Sequence, residues 1–387
     1  MAKKPFEAVE EHFGKVHDPR MDRTKEHKLI DIIAIAICGV ICGAESWVDI
    51  ELFGNSKLIW LKTFLELPNG IPSQRPAPFQ GDTFGRVFSM INTKEFQTAF
   101  YGWVQAVWEL TQGQIVNMDG KCLCGTQDQR LGKRGVYMVS AWAEANALVL
   151  GQRKVDEKSN EITAIPELLK ILALSGCLVT IDAMGTQTEI ARSIQEAGAD
   201  YLLSVKENQG HLFEDLSMLF GVDQELNFKY ASLEHAKTTS KGHGRIEIRE
   251  CWSTSHPGYL KLIRNSQDWA GLKSIAMVIS TRIIDGVETR HVRYYISTLS
   301  SDAQRILHAS RRHWAIENEL HWVLDVALQE DHSRVRKDQA PENFAVLRHI
   351  ALNLLKQEKT ANVGIHGKQL QAALSEDYLL KVLSAGN

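Results

Sequence analysis

The stretch Ile115–Gly125, "IVNMDGKCLCG", decides how this chain is read. An apolar run from Ile115 to Met118, broken only by Asn117, ends in an acid, Asp119, and Gly120 and Lys121 follow at once. "CLVTIDAMGTQ", Cys177–Gln187, repeats the device: Asp182 closes the run, with Ala183 and Gly185 after it. Short apolar runs bounded by turn residues read as buried strands. Each strand then delivers one carboxylate to the end of a sheet, where open α/β folds place their ligands. Two carboxylates held together repel unless a cation lies between them, and Mg2+ takes oxygen ligands. The repeated motif therefore predicts a metal site.

Working outward, "GVYMVSAWAE" (135–144) and "NALVLGQRKV" (146–155) are strand-like on either side of a short polar turn, which predicts an antiparallel meander. A helix over "SNEITAIPELLKILALSG" precedes the second acid-ended strand. "TEIARSIQEAGAD" is a helix with a glycine stop, and "YLLSVKENQG" is a further strand. Residues 115–210 thus read strand, strand, strand, helix, strand, helix, strand, an α/β fold with a mixed sheet and flanking helices. "RIEIREC", "SIAMVISTRII" and "HVRYYISTL" make the region at about 225–300 rich in β-structure, and helices return from Asp302.

The first third reads as helical. Phe6, Val9, Phe13 and Val16 recur at helical spacing. Leu29–Trp47 is strongly apolar, but Asp31, Glu45 and its glycines leave it too short for a membrane span, so it is expected to be a buried helix. A loop dense in proline and glycine, "LELPNGIPSQRPAPFQGD", ends at Asp82, placed to cap the helix "TFGRVFSMI". The expected organisation is a helical N-terminal domain over 1–110 and an α/β domain over 111–387, with a β-rich insertion at about 225–300 and a helical C-terminus. A net charge of −3 gives no global attraction to nucleic acid, so DNA contacts must come from local patches. Six scattered cysteines and an N-terminus without a signal core predict a reduced, cytoplasmic protein.

The third metal ligand is sought on a late helix. In "RRHWAIENELHWVLDV", Glu317, His321 and Asp325 stand at i, i+4 and i+8, one face of an α-helix. Trp314 and Trp322 are read as core residues of the same helix. A zinc or iron site on His321 is the competing reading, but no HExxH pair supports it.

Taken in order, "IVNMDGK", "TIDAMGTQ", "VKENQG" and "HWAIENELHWVLDV" resemble the H-repeat-associated transposases, DDE transposases of bacterial insertion sequences. "DTFGRVF" and "VRYYIS" extend the resemblance over nearly the whole chain. It implies an RNase H-like catalytic core, with the first acid on the first strand, the second after the fourth and the third on a later helix. Asp119, Asp182 and Glu317 are then both the catalytic residues and the ligands of two Mg2+ or Mn2+ ions. The implied activity is cleavage and transfer of double-stranded DNA at transposon ends and target, by a bacterial protein acting as a homodimer on paired ends, with the N-terminal helices helping to recognise those ends. The competing expectation is an inactive, transposase-derived DNA-binding protein. Expected DNA contacts are Lys121, Lys206, Asn208 and Gln209 near the acids, Lys241, His243 and Arg245 in "SKGHGRIEIRE", and Arg311, Arg312 and Arg336 flanking the third acid. Asn318, His321 and Asp325 are candidate helpers beside Glu317.

Overall fold

The computed structural model describes residues 6–72, 83–107, 112–128, 130, 132, 134–155, 161–225, 232–242 and 244–385. Its strands are β1 Ile115–Leu123, β2 Val136–Ala143, β3 Leu148–Lys154, β4 Leu178–Ile181, β5 Asp200–Val205, β6 Glu234–Gly242, β7 Arg245–Thr254, β8 Ser274–Ile284 and β9 Val287–Ser297. They form one sheet in the order β3-β2-β1-β4-β5-β9-β8-β7-β6. β1 is internal because Ile115–Met118 can be covered on both faces, and all four of these residues are buried. It pairs antiparallel with β2, from Val116↔Ala143 to Leu123↔Val136, and parallel with β4, from Ile115↔Leu178 to Met118↔Ile181. β4 and β5 are parallel, joined through the helix Thr188–Glu196. Gly198, at φ 71°, supplies the left-handed turn that lets the chain leave this helix.

The β-rich region continues this sheet. β5 pairs antiparallel with β9 from Leu202↔Ser297 to Val205↔Tyr294, and β9, β8, β7 and β6 follow as successive antiparallel neighbours. β6, "EHAKTTSKG", has no apolar face and is exposed along most of its length; pairing with β7 holds it. A helix over Gly210–Glu225 precedes it.

The helices of the first third and of the C-terminus share a core. The helix Ala340–Gln357 is buried over nearly its whole length and packs on Leu29–Ile41, Thr83–Met90, Thr93–Val107 and β3. Leu29–Ile41 is apolar on every side except at Asp31 in its first turn, as suits a surrounded helix, and Ile32 through Cys38 are completely buried. Each such isoleucine contributes about 1.5–3 kcal/mol by leaving water. Trp47 stacks on Phe88 at 4.9 Å and meets the Phe344 ring edge-on at 4.6 Å, tying the N-terminal helices to the C-terminal one. Asp82, the expected cap, lies outside the described residues, as does most of the proline-rich loop before it. Among the described residues no helix is long and apolar enough to cross a membrane.

Candidate active site

The ladder between β1 and β4 ends at Met118↔Ile181. Asp119 and Asp182 are the residues immediately beyond that last rung, so the two acids are neighbours where β4 ends; β1 itself does not end at Asp119 as expected but runs on to Leu123 beside β2. Asp182 accepts a hydrogen bond from the Met184 amide at 2.6 Å and so caps the short turn Ala183–Gly185. Asn208 donates to the Ala183 carbonyl at 2.7 Å and Gln209 to the Thr186 carbonyl at 2.5 Å. Both expected DNA contacts therefore brace the turn behind Asp182. Lys206 is different: its side chain is 60% exposed and its ammonium stands 3.5 Å from Asp182 Oδ2.

The late helix departs from the uniform α-helix expected of it. Ala303–Arg312 and Trp322–Val326 are α-helical, but Ile316–His321 between them is a π-turn. Such turns are rare and concentrate at functional sites. Glu317 lies within this turn, and the next residues on its side face β1: His321 Nδ1 is 3.6 Å from Asp119 Oδ2, and Asp325 bonds to the Lys121 ammonium. Asn318 turns back to the Trp314 carbonyl at 2.9 Å. A buried network anchors the segment: Asn117 donates to the Arg312 carbonyl at 2.9 Å and accepts from Thr180 Oγ1 at 2.6 Å, and Thr180 meets His313 Nδ1 at 2.9 Å. Trp314 and Trp322 are not core residues. They are 42% and 60% exposed, because Ile316, Leu320 and Leu324 take the buried face and residues two positions away point oppositely.

The acids act on one another. Asp119 is raised to about 7, first by burial and then by Glu161, Glu317 and Asp182, while a hydrogen bond from the Gly120 amide opposes the rise. Burial and Asp182 raise Glu317. Burial also raises Glu161, a fourth acid that the sequence reading did not single out; Asp182 adds to this and a Tyr137 hydrogen bond opposes it. His321 is lowered to about 4, by burial and then by Lys121, so its ring is neutral at physiological pH.

Lys121 is not a free cation beside the first acid. Its side chain is 12% exposed, and its ammonium bonds to Asp325 and, at 2.8 Å, to Glu330, with Asp331 at 3.5 Å. Burial alone would lower its pKa, and Glu330 and Asp325 more than reverse the effect. The lysine thus clamps the first-acid strand to the third-acid segment, with Asp325 as part of the clamp. Arg312 is held by Glu144 and by Glu319 at 3.2 Å, and Arg336 donates to the Gly125 carbonyl at 2.9 Å. Arg245 lies 3.1 Å from Glu247, and Lys241 is exposed on β6. His243 lies outside the described residues. Arg311 is exposed and lines a cleft of about 640 Å³ together with Arg249, Arg282, Arg293, Trp314 and Glu317. The Arg293 guanidinium sits 5.4 Å from the centre of the Trp314 ring.

The model of the family "Transposase DDE domain" matches residues 111–354, and the "DDE_Tnp_1-associated" model matches residues 10–104. "Putative transposase YncI" of Escherichia coli O157:H7 is 40% identical, over 98% of this chain and 95% of its own. "H repeat-associated putative transposase YhhI" of Escherichia coli K12 is 39% identical, over 97% of each chain. The chain belongs to the H-repeat-associated DDE transposase family of bacterial insertion sequences. A shorter relative, "Inactive transposase YbfQ" of Escherichia coli K12, is 43% identical over 20% of this chain.

Membership of a DDE transposase family implies metal-dependent chemistry. Among the described residues no three His, Cys, Asp or Glu side chains form a ready-made metal-binding array. The donor chemistry nevertheless fits a divalent ion. The acids at the sheet edge offer only hard oxygen ligands, the type that Mg2+ takes, and their mutual repulsion is what a cation relieves.

Proposed function

We propose that this chain is a metal-dependent DNA transposase with an RNase H-like core, in which Asp119, Asp182 and Glu317 are the catalytic triad and hold two Mg2+ or Mn2+ ions. One observation carries the reading: Asp119 and Asp182 lie side by side just past the last β1–β4 pair, and Glu317, far along the chain, is near enough to raise Asp119 and to be raised by Asp182. The RNase H-like assignment is supported by the strand arrangement, an antiparallel meander β3-β2-β1 continued by the parallel strands β4 and β5.

Bound metal would activate the attacking oxygen and stabilise the leaving one in an in-line displacement at phosphorus. The chain's own residues do the rest. Asp119 and Asp182 present their oxygens from the sheet, and the Lys121 clamp and the Asn117 network brace both ends of the segment that carries Glu317. His321, neutral beside Asp119, brings no competing positive charge into the site. Lys206 is exposed beside Asp182, in reach of a passing phosphate. The arginine-lined cleft next to Glu317 receives the DNA backbone, with Arg293 and Arg311 as phosphate partners. The substrates are the duplex ends of the element and its target. Water is the nucleophile for nicking, and the freed 3′-hydroxyl is the nucleophile for joining. A homodimer on paired ends, with the N-terminal helices reading the ends, completes the proposal.

A labelled duplex carrying the element's terminal repeat tests it. The chain should nick this DNA with Mg2+ or Mn2+ and not in EDTA. Asp119→Asn, Asp182→Asn and Glu317→Gln should each abolish nicking and leave the gel-shift affinity within about threefold of wild type. Metal-dependent cleavage retained in one variant removes that residue from the triad. Binding by the wild type without any nick favours a transposase-derived DNA-binding protein instead.

A further inference from the structure

We infer that Glu161 is a fourth carboxylate of this metal site, reaching it from the sheet face opposite Glu317 through the space that Gly120 leaves open. The inference rests on the metal site proposed above and adds a ligand that neither the sequence motifs nor the comparisons assign.

Residues of β1 alternate between the two faces of the sheet. Asp119 and Lys121 share the face covered by the π-turn and the helix after it, through His321 and Asp325. Gly120 and Cys122 share the other face, where Tyr137 is the cross-strand partner of Cys122. A Cβ built on Gly120 would lie 2.2 Å from Glu161 Oε1 and 2.6 Å from Tyr137 Cε1. The Glu161 carboxylate thus occupies the volume that any other side chain at position 120 would need. Backbone conformation does not explain this glycine, which lies inside β1 and is not among the residues with positive φ. Space for Glu161 and the Tyr137 ring that holds it explains it.

The sheet is open at this point. The β1–β4 ladder stops at Met118↔Ile181, so nothing from β4 separates the two faces beside Asp119. Glu161 reaches β1 at the residue next to Asp119, with its carboxylate against the Gly120 backbone. The Tyr137 hydroxyl holds one side of the Glu161 carboxylate and orients it. Glu161 also begins the helix Glu161–Leu169, where an acid is favoured by the helix dipole alone. That simpler role requires neither proximity to Asp119 nor a glycine at position 120, and a metal-binding measurement separates the two.

Calorimetric titration of the full chain with Mn2+, without DNA, is the test, and far-UV circular dichroism establishes folding of each variant. Glu161→Gln keeps the shape and an acceptor for Tyr137 while removing the charge. It should weaken Mn2+ binding by about 10–100-fold, the scale seen when a conserved partner of a metal site is lost. Gly120→Ala, which drives the carboxylate out while leaving it in the chain, should produce a loss in the same direction. Should Glu161→Gln not fold, Gly120→Ala decides alone. Wild-type Mn2+ affinity in Glu161→Gln and Gly120→Ala, combined with loss in Asp119→Asn, overturns the role of Glu161 and leaves the triad standing. Unchanged affinity in Asp119→Asn as well would overturn the metal site itself.

Discussion

Replacing Lys121 with methionine removes a buried ammonium and keeps most of its aliphatic stem. The ammonium serves three acids, Asp325, Glu330 at 2.8 Å and Asp331 at 3.5 Å. Glu330 is the critical partner because its side chain is only 2% exposed, so it cannot turn to water when the lysine is gone. Breaking a buried ion pair from one side costs about 3–5 kcal/mol, because an uncompensated charge is left behind. Arg348 also acts on Glu330, which places the expected loss near the lower end, about 3 kcal/mol. Against a total stability of about 5–15 kcal/mol, that is a large fraction. Urea denaturation of Lys121→Met, Glu330→Gln and the double variant measures it. The double variant should lose less than the sum of the singles, by about 0.5–3 kcal/mol, because the second change removes the charge that the first left unpaired. The salt dependence of DNA binding should not change, since a lysine held by carboxylates releases no counterion from DNA. A wild-type denaturation midpoint in Lys121→Met, together with a slope of log K against log salt shallower by about one, would refute the clamp. That outcome would return Lys121 to the DNA contacts.

Asp119 has a folded pKa of about 7, above its ordinary value of 3.8, mainly through burial. The native chain therefore holds a proton that the unfolded chain has released, and stability falls as pH rises from about 4 to about 7. With about three units at 1.36 kcal/mol each, the penalty at pH 8 is at most about 4 kcal/mol. In metal-free buffer Asp119→Asn should melt above wild type at pH 8, by a margin that shrinks towards pH 5; equal melting at pH 8 would count against the burial argument. Asn117→Ala strands the Arg312 carbonyl and leaves the Thr180 hydroxyl with His313 Nδ1 alone. It should cost about 2 kcal/mol in thermal or urea unfolding and slow cleavage more than it weakens DNA binding. Arg293→Ala should leave stability within about 0.5 kcal/mol and lower end-DNA affinity, with a salt slope shallower by about one, as expected for one lost phosphate contact. An unchanged slope would remove Arg293 from the DNA path.

The strands carrying the first two acids were legible because burial on both faces demands continuous apolar runs, and each run stops where its carboxylate begins. The meander was legible from its two apolar runs and polar turn. β6 was not, since "EHAKTTSKG" is exposed and only its pairing with β7 makes it a strand. The π-turn was hidden because residues four apart share a side in either winding, so the pattern around Glu317 looks the same for both. Trp314 and Trp322 misled because large aromatic residues suggest a core, whereas the run Ile316, Leu320, Leu324 had already claimed it. The clamp at Lys121 was hidden for a different reason. Its partners Asp325 and Glu330 lie 204 and 209 residues away, and no local pattern reveals which distant acid will claim a cation. Glu161 left one weak trace, an acid at the start of a helix that follows the meander, and its counterpart was the glycine beside Asp119.

The most direct measurement of the central claim exchanges a carboxylate oxygen for sulfur. Asp182→Cys keeps a short ligand-bearing side chain at the edge of the sheet, but a thiolate binds Mg2+ poorly and softer ions such as Mn2+ better. If Asp182 grips the catalytic metal, the variant should fail to nick a terminal-repeat duplex in Mg2+ and recover nicking in Mn2+. Nicking at the wild-type rate in Mg2+ would contradict the claim, because the oxygen would then not be a ligand.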